Sequence, residues 1–329
     1  MSVELNQVLA TAKVVSLPLR TRFRGVDHRE ALLFEGPQGW AEWSPFLEYS
    51  DAEAAVWLEA AVDWAFMPQP EPVRQSIDVN ATLPAVAPSE IAATMAPFGN
   101  FGTVKIKVAE AGQSLAQDLA RVAETHKLFP DAKLRLDANG GWTAEQTLAV
   151  VGALRDNRIQ VEYLEQPCAS VAELVQLRKT FQQLRLEVLV AADESVRKAA
   201  DPIAVANAGG ADLLVLKAAP LGGVEAALAI AAEAGLPVVV SSALETSIGL
   251  AMGIHLAACL PELPFANGLG TAALMAADVV AAPLIPIDGK LPVSRPVADP
   301  ALLATHAASA ERAEWWMARL ERCWQLLQA

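Results

Sequence analysis

The chain has 329 residues and is acidic: 25 Lys and Arg stand against 38 Asp and Glu, a net charge of −13. That balance, with no basic patch to reverse it, argues against binding nucleic acid or an anionic membrane surface. Hydrophobic residues make up 53% and charged residues 19%, which excludes global disorder, and the length excludes a small stapled scaffold.

Cys168, Cys259 and Cys323 stand far apart with no C-x-x-C pair. They are expected as small core residues of a reduced, cytoplasmic protein rather than as a disulfide or zinc framework. The opening stretch carries Glu4 and no long apolar run, so no secretory leader is expected.

Residues 1–72 are expected to form a small α+β domain. Residues 8–17 alternate loosely, 31–34 and 40–43 read as strands joined through a Gly-Pro-Gln-Gly turn, and 51–66 read as a helix capped by Ser50 or Asp51. Pro68, Pro70 and Pro72 punctuate a connector.

Residues 73–282 change rhythm. Short apolar runs at 76–80, 104–108, 133–137, 161–165, 189–193, 212–217, 238–242 and 264–267 are each followed by an Ala-rich or helix-periodic segment. Starts are roughly 20–30 residues apart, the length of one β-loop-α unit, so eight such units predict an α/β chain folded as a (β/α)8 barrel. An open doubly wound sheet is the alternative, but no phosphate-binding glycine turn follows 76–80. Residues 247–261 contain Gly249, Gly253 and His255 and fall short of the ~20 residues a membrane span needs, so they read as a buried helix. Residues 283–329 read as a Pro-punctuated tail followed by a helix whose Trp315, Trp316, Leu320, Trp324 and Leu327 pack on the small domain or the barrel.

The candidate chemistry lies on the strand ends. Lys105 and Lys107 alternate with Val104, Ile106 and Val108, which turns both lysines toward the barrel interior. Lysines guarding an edge strand are the alternative, but a closed barrel has no edge. Asp137, Glu165 and Asp193 each close a predicted strand, 28 residues apart in both intervals. An isolated acid there is commonly a cap; three on consecutive strands put three hard oxygen donors side by side on the face where barrel sites form, a pattern for Mg2+. Glu194 faces differently from Asp193 and is expected behind it. Lys217 closes the next strand, opposite Lys107 across the carboxylates. Such a ring suits removal of a proton α to a carboxylate.

The ordered set Lys105-x-Lys107, Asp137-Ala-Asn139, Glu165-Gln-Pro167, Asp193-Glu-Ser195 and Lys217-x4-Gly222-Gly223, preceded by Gly39-Trp-Ala-Glu-Trp-Ser-Pro45, resembles the muconate-lactonising subgroup of the enolase superfamily. The resemblance implies an enolase-type (β/α)8 barrel with an α+β capping domain. It implies Mg2+, with Mn2+ able to substitute, held by Asp137, Glu165 and Asp193, and a small carboxylate substrate. Lys107 is then the proton-transferring residue, Lys217 the group steadying the enolate from the other face, and Lys105 a neighbour that lowers the basicity of Lys107. Residues 241–249 and 260–271 resemble the subgroup's dehydratases of menaquinone biosynthesis, which act on a hydroxycyclohexadiene carboxylate. Arg24, Arg135, Asn139, Ser241, Ser242, Gly268 and Gly270 are the expected substrate contacts. A racemase or epimerase of N-succinylamino acids or dipeptides would use the same catalytic set, with both lysines as bases. A non-catalytic barrel gives no reason for three lysines beside three acids.

Overall fold

The computed structural model describes residues 3–328 except 24 and 199. The chain opens with an antiparallel sheet of order β1-β2-β3, formed by β1 (Lys13–Phe23), β2 (Val26–Gly36) and β3 (Gly39–Trp43). The Asp51–Phe66 helix packs on it. Its start is fixed by a reciprocal box in which Ser50 Oγ accepts from the Glu53 amide and Glu53 accepts from the Ser50 amide. Ala54, Ala55, Ala60, Ala61, Ala65, Leu58 and Trp64 are buried against the sheet and barrel. The C-terminal helix, Ala310–Gln328, returns to this region and packs on the Asp51–Phe66 helix and β1. Trp316 stands edge-on to Trp43 at 5.3 Å, and its indole N–H donates to Glu30 at 2.8 Å. The aromatic stripe of this helix is packing.

Seven parallel strands curl into the barrel, in the order β11-β10-β9-β8-β7-β6-β5. They are β5 (Ala81–Leu83), β6 (Thr103–Lys107), β7 (Lys133–Asp137), β8 (Val161–Glu165), β9 (Leu189–Ala192), β10 (Leu213–Leu216) and β11 (Val238–Val240). The connecting helices Leu115–Leu128, Ala144–Asp156 and Val171–Leu184 are each started by a Ser or Thr cap with Gln or Glu three residues on. The Ser247–Cys259 helix is buried along nearly all its length. No helix of the described residues is long and apolar enough to cross a membrane.

The structure corrects two of the expected strands. The run at 76–80 divides: β4 (Ser76–Asp78) pairs antiparallel with β12 (Lys290–Pro292) outside the barrel, and only Ala81–Leu83 enters it. The run at 264–267 makes no strand. Asn267 and Gly268 close the barrel through single bridges to Val79 and Ser241, and the Asn267 side chain adds to that backbone pairing, its Oδ1 accepting from the Val240 amide at 2.9 Å. Gly268 must be glycine, because a Cβ there would lie 2.6 Å from Ser241 Oγ.

Candidate active site

Register carries the strand-end residues to one level. Lys107 is opposite Asp137, and Asp137 is opposite Glu165. Asp193 and Lys217 directly follow β9 and β10. All five, with Lys105, line one small cavity of about 30 Å³ together with Phe23, Thr82, Asn139, Leu244 and Thr271. Lys107 and Asn139 also line a cleft of about 410 Å³ that opens past Arg22, Phe23 and Gly25 of the small domain. That cleft is the approach from solvent.

Charges in this cavity are paired. Lys107 Nζ donates to Asp137 Oδ2 at 2.5 Å and to Asn139 Oδ1 at 2.7 Å. Lys105 Nζ lies 2.8 Å from Glu165 Oε1 and 3.1 Å from Asp137 Oδ2. Lys217 Nζ donates to Asp193 Oδ1 at 2.5 Å. The lysine and carboxylate side chains among these are at least nine-tenths buried, whereas Asn139 is exposed. Burial alone would lower the Lys105 ammonium, but the Glu165 and Asp137 carboxylates outweigh it and raise its pKa. Burial lowers Lys217 despite Asp193. The Asp137 carboxyl, although buried, is held well down by Lys107 and Lys105, whereas burial and the charge of Asp137 push Glu165 up to about 7. Lys105 thus serves the carboxylates.

With the carboxylates turned onto the lysines, no three acidic, imidazole or thiol groups among the described residues already enclose a metal position. The donor set nonetheless fits a hard divalent cation. Three carboxylates stand on adjacent strand ends, and Glu165 Oε2 is buried with no hydrogen-bond partner, an orphan oxygen that calls for a cation or a proton.

The remaining expected contacts divide. Ser241 and Ser242 line the cavity, Ser242 Oγ lying 2.7 Å from Thr271 Oγ1. Asn139 does so too, but its carbonyl oxygen is occupied by Lys107 and its amide donates to Glu194 Oε1 at 3.2 Å. Gly268 lines the cavity, yet its N–H donates to the Val240 carbonyl to close the barrel, so it offers no anion-binding donor. Gly270 lies off the cavity, against the Asn80 carbonyl. Arg135 lies beneath it, bonded to Glu162, Asn80 and the Ala266 carbonyl. Arg24 lies outside the described residues.

Sequence reasoning missed Arg197. Its guanidinium donates to Asp193 Oδ1 at 3.1 Å, to Glu194 Oε1 at 2.5 Å and to Tyr49 Oη at 2.8 Å, tying the strand-end acids to the small domain. The signal was present, since Arg197 stands four residues after Asp193 and three after Glu194 at a helix start. Gln166 was also missed; its Oε1 accepts from the Asp193 and Ser195 amides and fixes the next strand end.

Two family descriptions match the chain: enolase N-terminal domain-like over residues 14–65 and enolase C-terminal domain-like over residues 89–297. The o-succinylbenzoate synthase of Mycobacterium marinum is 50% identical over 324 residues, 98% of this chain and 96% of that protein. The chain belongs to the o-succinylbenzoate synthase family of the enolase superfamily. It is an enzyme, a metal-dependent carbon–oxygen lyase. Solved structures of the same fold include muconate lactonizing enzyme from Pseudomonas fluorescens (TM-score 0.75, 21% identity, 91% of this chain and 98% of that one) and the L-Ala-D/L-Glu epimerase from Bacillus subtilis (TM-score 0.73, 22% identity, 87% and 96%). Likeness at that identity speaks for the fold, an enolase-type barrel with its cap.

Proposed function

We propose that the chain dehydrates 2-succinyl-6-hydroxy-2,4-cyclohexadiene-1-carboxylate to o-succinylbenzoate, a step of menaquinone biosynthesis in the cytoplasm. The observation that carries the reading is the ring in one cavity: three strand-end carboxylates between Lys107 and Lys217, in a chain half identical to named o-succinylbenzoate synthases. Asp137, Glu165 and Asp193 would hold Mg2+, which when bound draws charge from the substrate carboxylate and acidifies the adjacent C–H. Residues 1–72 cap the site, 73–282 supply it, and 283–329 brace the cap.

Lys107, at the point where the solvent cleft meets the site cavity, takes the proton from C1 in its neutral form. The ammonium so formed returns the proton to the hydroxyl leaving C6, which departs as water while the C1–C6 double bond completes the aromatic ring. One residue does both because proton and hydroxyl leave from the same face. Asn139 orients the Lys107 amine. Lys217, as its ammonium, steadies the developing enolate from across the ring of carboxylates. Ser241 and Ser242 present hydroxyls to the succinyl end.

The test is to supply the cyclohexadiene carboxylate with Mg2+ and follow loss of its diene absorbance, with chelator as control and N-succinylamino acids assayed in parallel for loss of optical rotation. Rapid, chelator-sensitive dehydration supports the reading. Racemisation without dehydration overturns it in favour of a racemase.

A further inference from the structure

One wall of the site cavity belongs to a turn that the barrel braces from within, Glu245 accepting from the Ala243 amide at 2.7 Å, and that the cap grips from outside. Ala243 and Leu244, just after β11, line that wall beside Lys217. Leu244 has φ +65°, a left-handed conformation that a leucine adopts only when its surroundings impose it. The imposing groups come from the cap. Arg29 of β2, 3% exposed, donates from Nε to the Leu244 carbonyl at 3.2 Å and from a terminal nitrogen to the Ala243 carbonyl at 3.4 Å. The same guanidinium bonds to the Ser44 carbonyl and lies over the Phe46 ring at 4.4 Å.

Glu42 of β3, 4% exposed, grips the other end of the turn. Its Oε2 accepts from the Thr246 amide at 3.0 Å, the Thr246 hydroxyl at 2.5 Å and the Gly249 amide at 3.2 Å, while Oε1 accepts from Ser44 Oγ at 2.6 Å. These amides are free donors of the first turn of the Ser247–Cys259 helix, where a carboxylate is favoured. The seat is built for this side chain: a Cβ on Gly249 would lie 2.8 Å from Glu42 Oε2 and 2.6 Å from Glu245 Cβ.

From this geometry we infer that Arg29 and Glu42 are positioning residues for the reaction, a two-point clamp through which the docked cap fixes the 243–246 turn and with it the Leu244 wall of the substrate cavity. The inference rests on the proposed dehydration for its kinetic readout. Neither residue touches the lysines or the strand-end acids in the hydrogen bonds above. Loosening the clamp therefore moves the pocket wall and leaves the proton-transferring groups in place.

The experiment uses the full chain loaded with Mg2+. Arg29→Met and Glu42→Gln, assayed at pH 8, are each expected to raise KM about 10-fold with kcat changed less than about 3-fold, and to speed amide exchange of residues 243–249 while β6 to β8 keep their protection. Variants that melt at lower temperature yet keep the KM and the slow exchange of 243–249 overturn the clamp, leaving it a stability contact. Should either variant fail to fold, exchange in the unmodified chain decides: peptides covering 29–46 and 243–249 opening in one kinetic phase support the inference, and independent opening contradicts it. An unmodified chain that does not dehydrate the diene contradicts the proposed function and leaves the exchange result standing.

Discussion

The mouth of the barrel and its floor are built from the same strand faces, one layer apart, and both bury ions. At the floor Arg135 is completely buried and its charge is matched, with Glu162 at 2.6 and 2.7 Å, the Ala266 carbonyl at 2.6 Å, Asn80 at 3.1 Å and the Tyr163 ring 4.6 Å beneath the guanidinium, although Arg135 Nη2 and Tyr163 Oη make no aligned hydrogen bond. Two residues further along the strand, at the mouth, Asp137 is shared by two lysines and Glu165 keeps one oxygen with no partner. A buried ion pair whose charges match organises a core and does no chemistry. An incompletely satisfied cluster of like-charged acids opening onto a solvent cleft is poised to take a cation and a substrate.

The sharpest break of this contrast is Lys107→Ala. Turnover is expected to be abolished in the diene assay, because one residue supplies both the base and the acid step, each typically worth about 10²–10⁴-fold, with an unchanged circular dichroism spectrum. The floor responds in the opposite sense: Arg135→Met leaves Glu162 facing only Lys133, and is expected to cost about 3 kcal/mol in denaturant unfolding with kcat/KM unaltered.

The cap's acid cluster gives a pH signature. Burial and the charge of Glu245 push the Glu42 carboxyl from 4.5 up to about 7, so between those values the folded chain holds a proton that the unfolded chain has released. Its contribution to stability is fully present below about pH 4.5 and is lost as pH rises toward 7, a decline on the order of 3 kcal/mol. Urea unfolding at pH 5 and pH 7.5 measures it, and Glu42→Gln is expected to flatten the difference. The smallest effect is on the metal: Glu165→Gln is expected to weaken Mg2+ or Mn2+ binding roughly 10–100-fold in calorimetric titration while the fold persists.

The residues that sequence placed correctly are those whose position follows from local pattern. Alternation in Val-Lys-Ile-Lys-Val turned Lys105 and Lys107 inward, and equal spacing put Asp137, Glu165 and Asp193 on successive strand ends. Arg135 obeyed the same alternation and was misjudged, because strand-face periodicity says which way a side chain points and not at which depth its partners end. The eighth strand failed for a related reason: backbone pairing to both neighbours occurs at Asn267 and Gly268 alone, so the apolar residues before them join no ladder. Arg29 and Glu42 were invisible, since their partners lie more than 200 residues away and their own neighbourhoods read as an ordinary antiparallel sheet.

The central claim is that the ring at the mouth works by one base and one electrostatic partner, and the direct measurement is dehydration of the cyclohexadiene carboxylate by Lys107→Ala and Lys217→Arg under identical Mg2+. Arginine keeps the positive charge beside Asp193 but is too basic to take a proton at neutral pH. Measurable dehydration by Lys217→Arg together with none by Lys107→Ala is the predicted result. Dehydration surviving in Lys107→Ala, or abolished in Lys217→Arg while that variant still binds metal and substrate, would contradict the account.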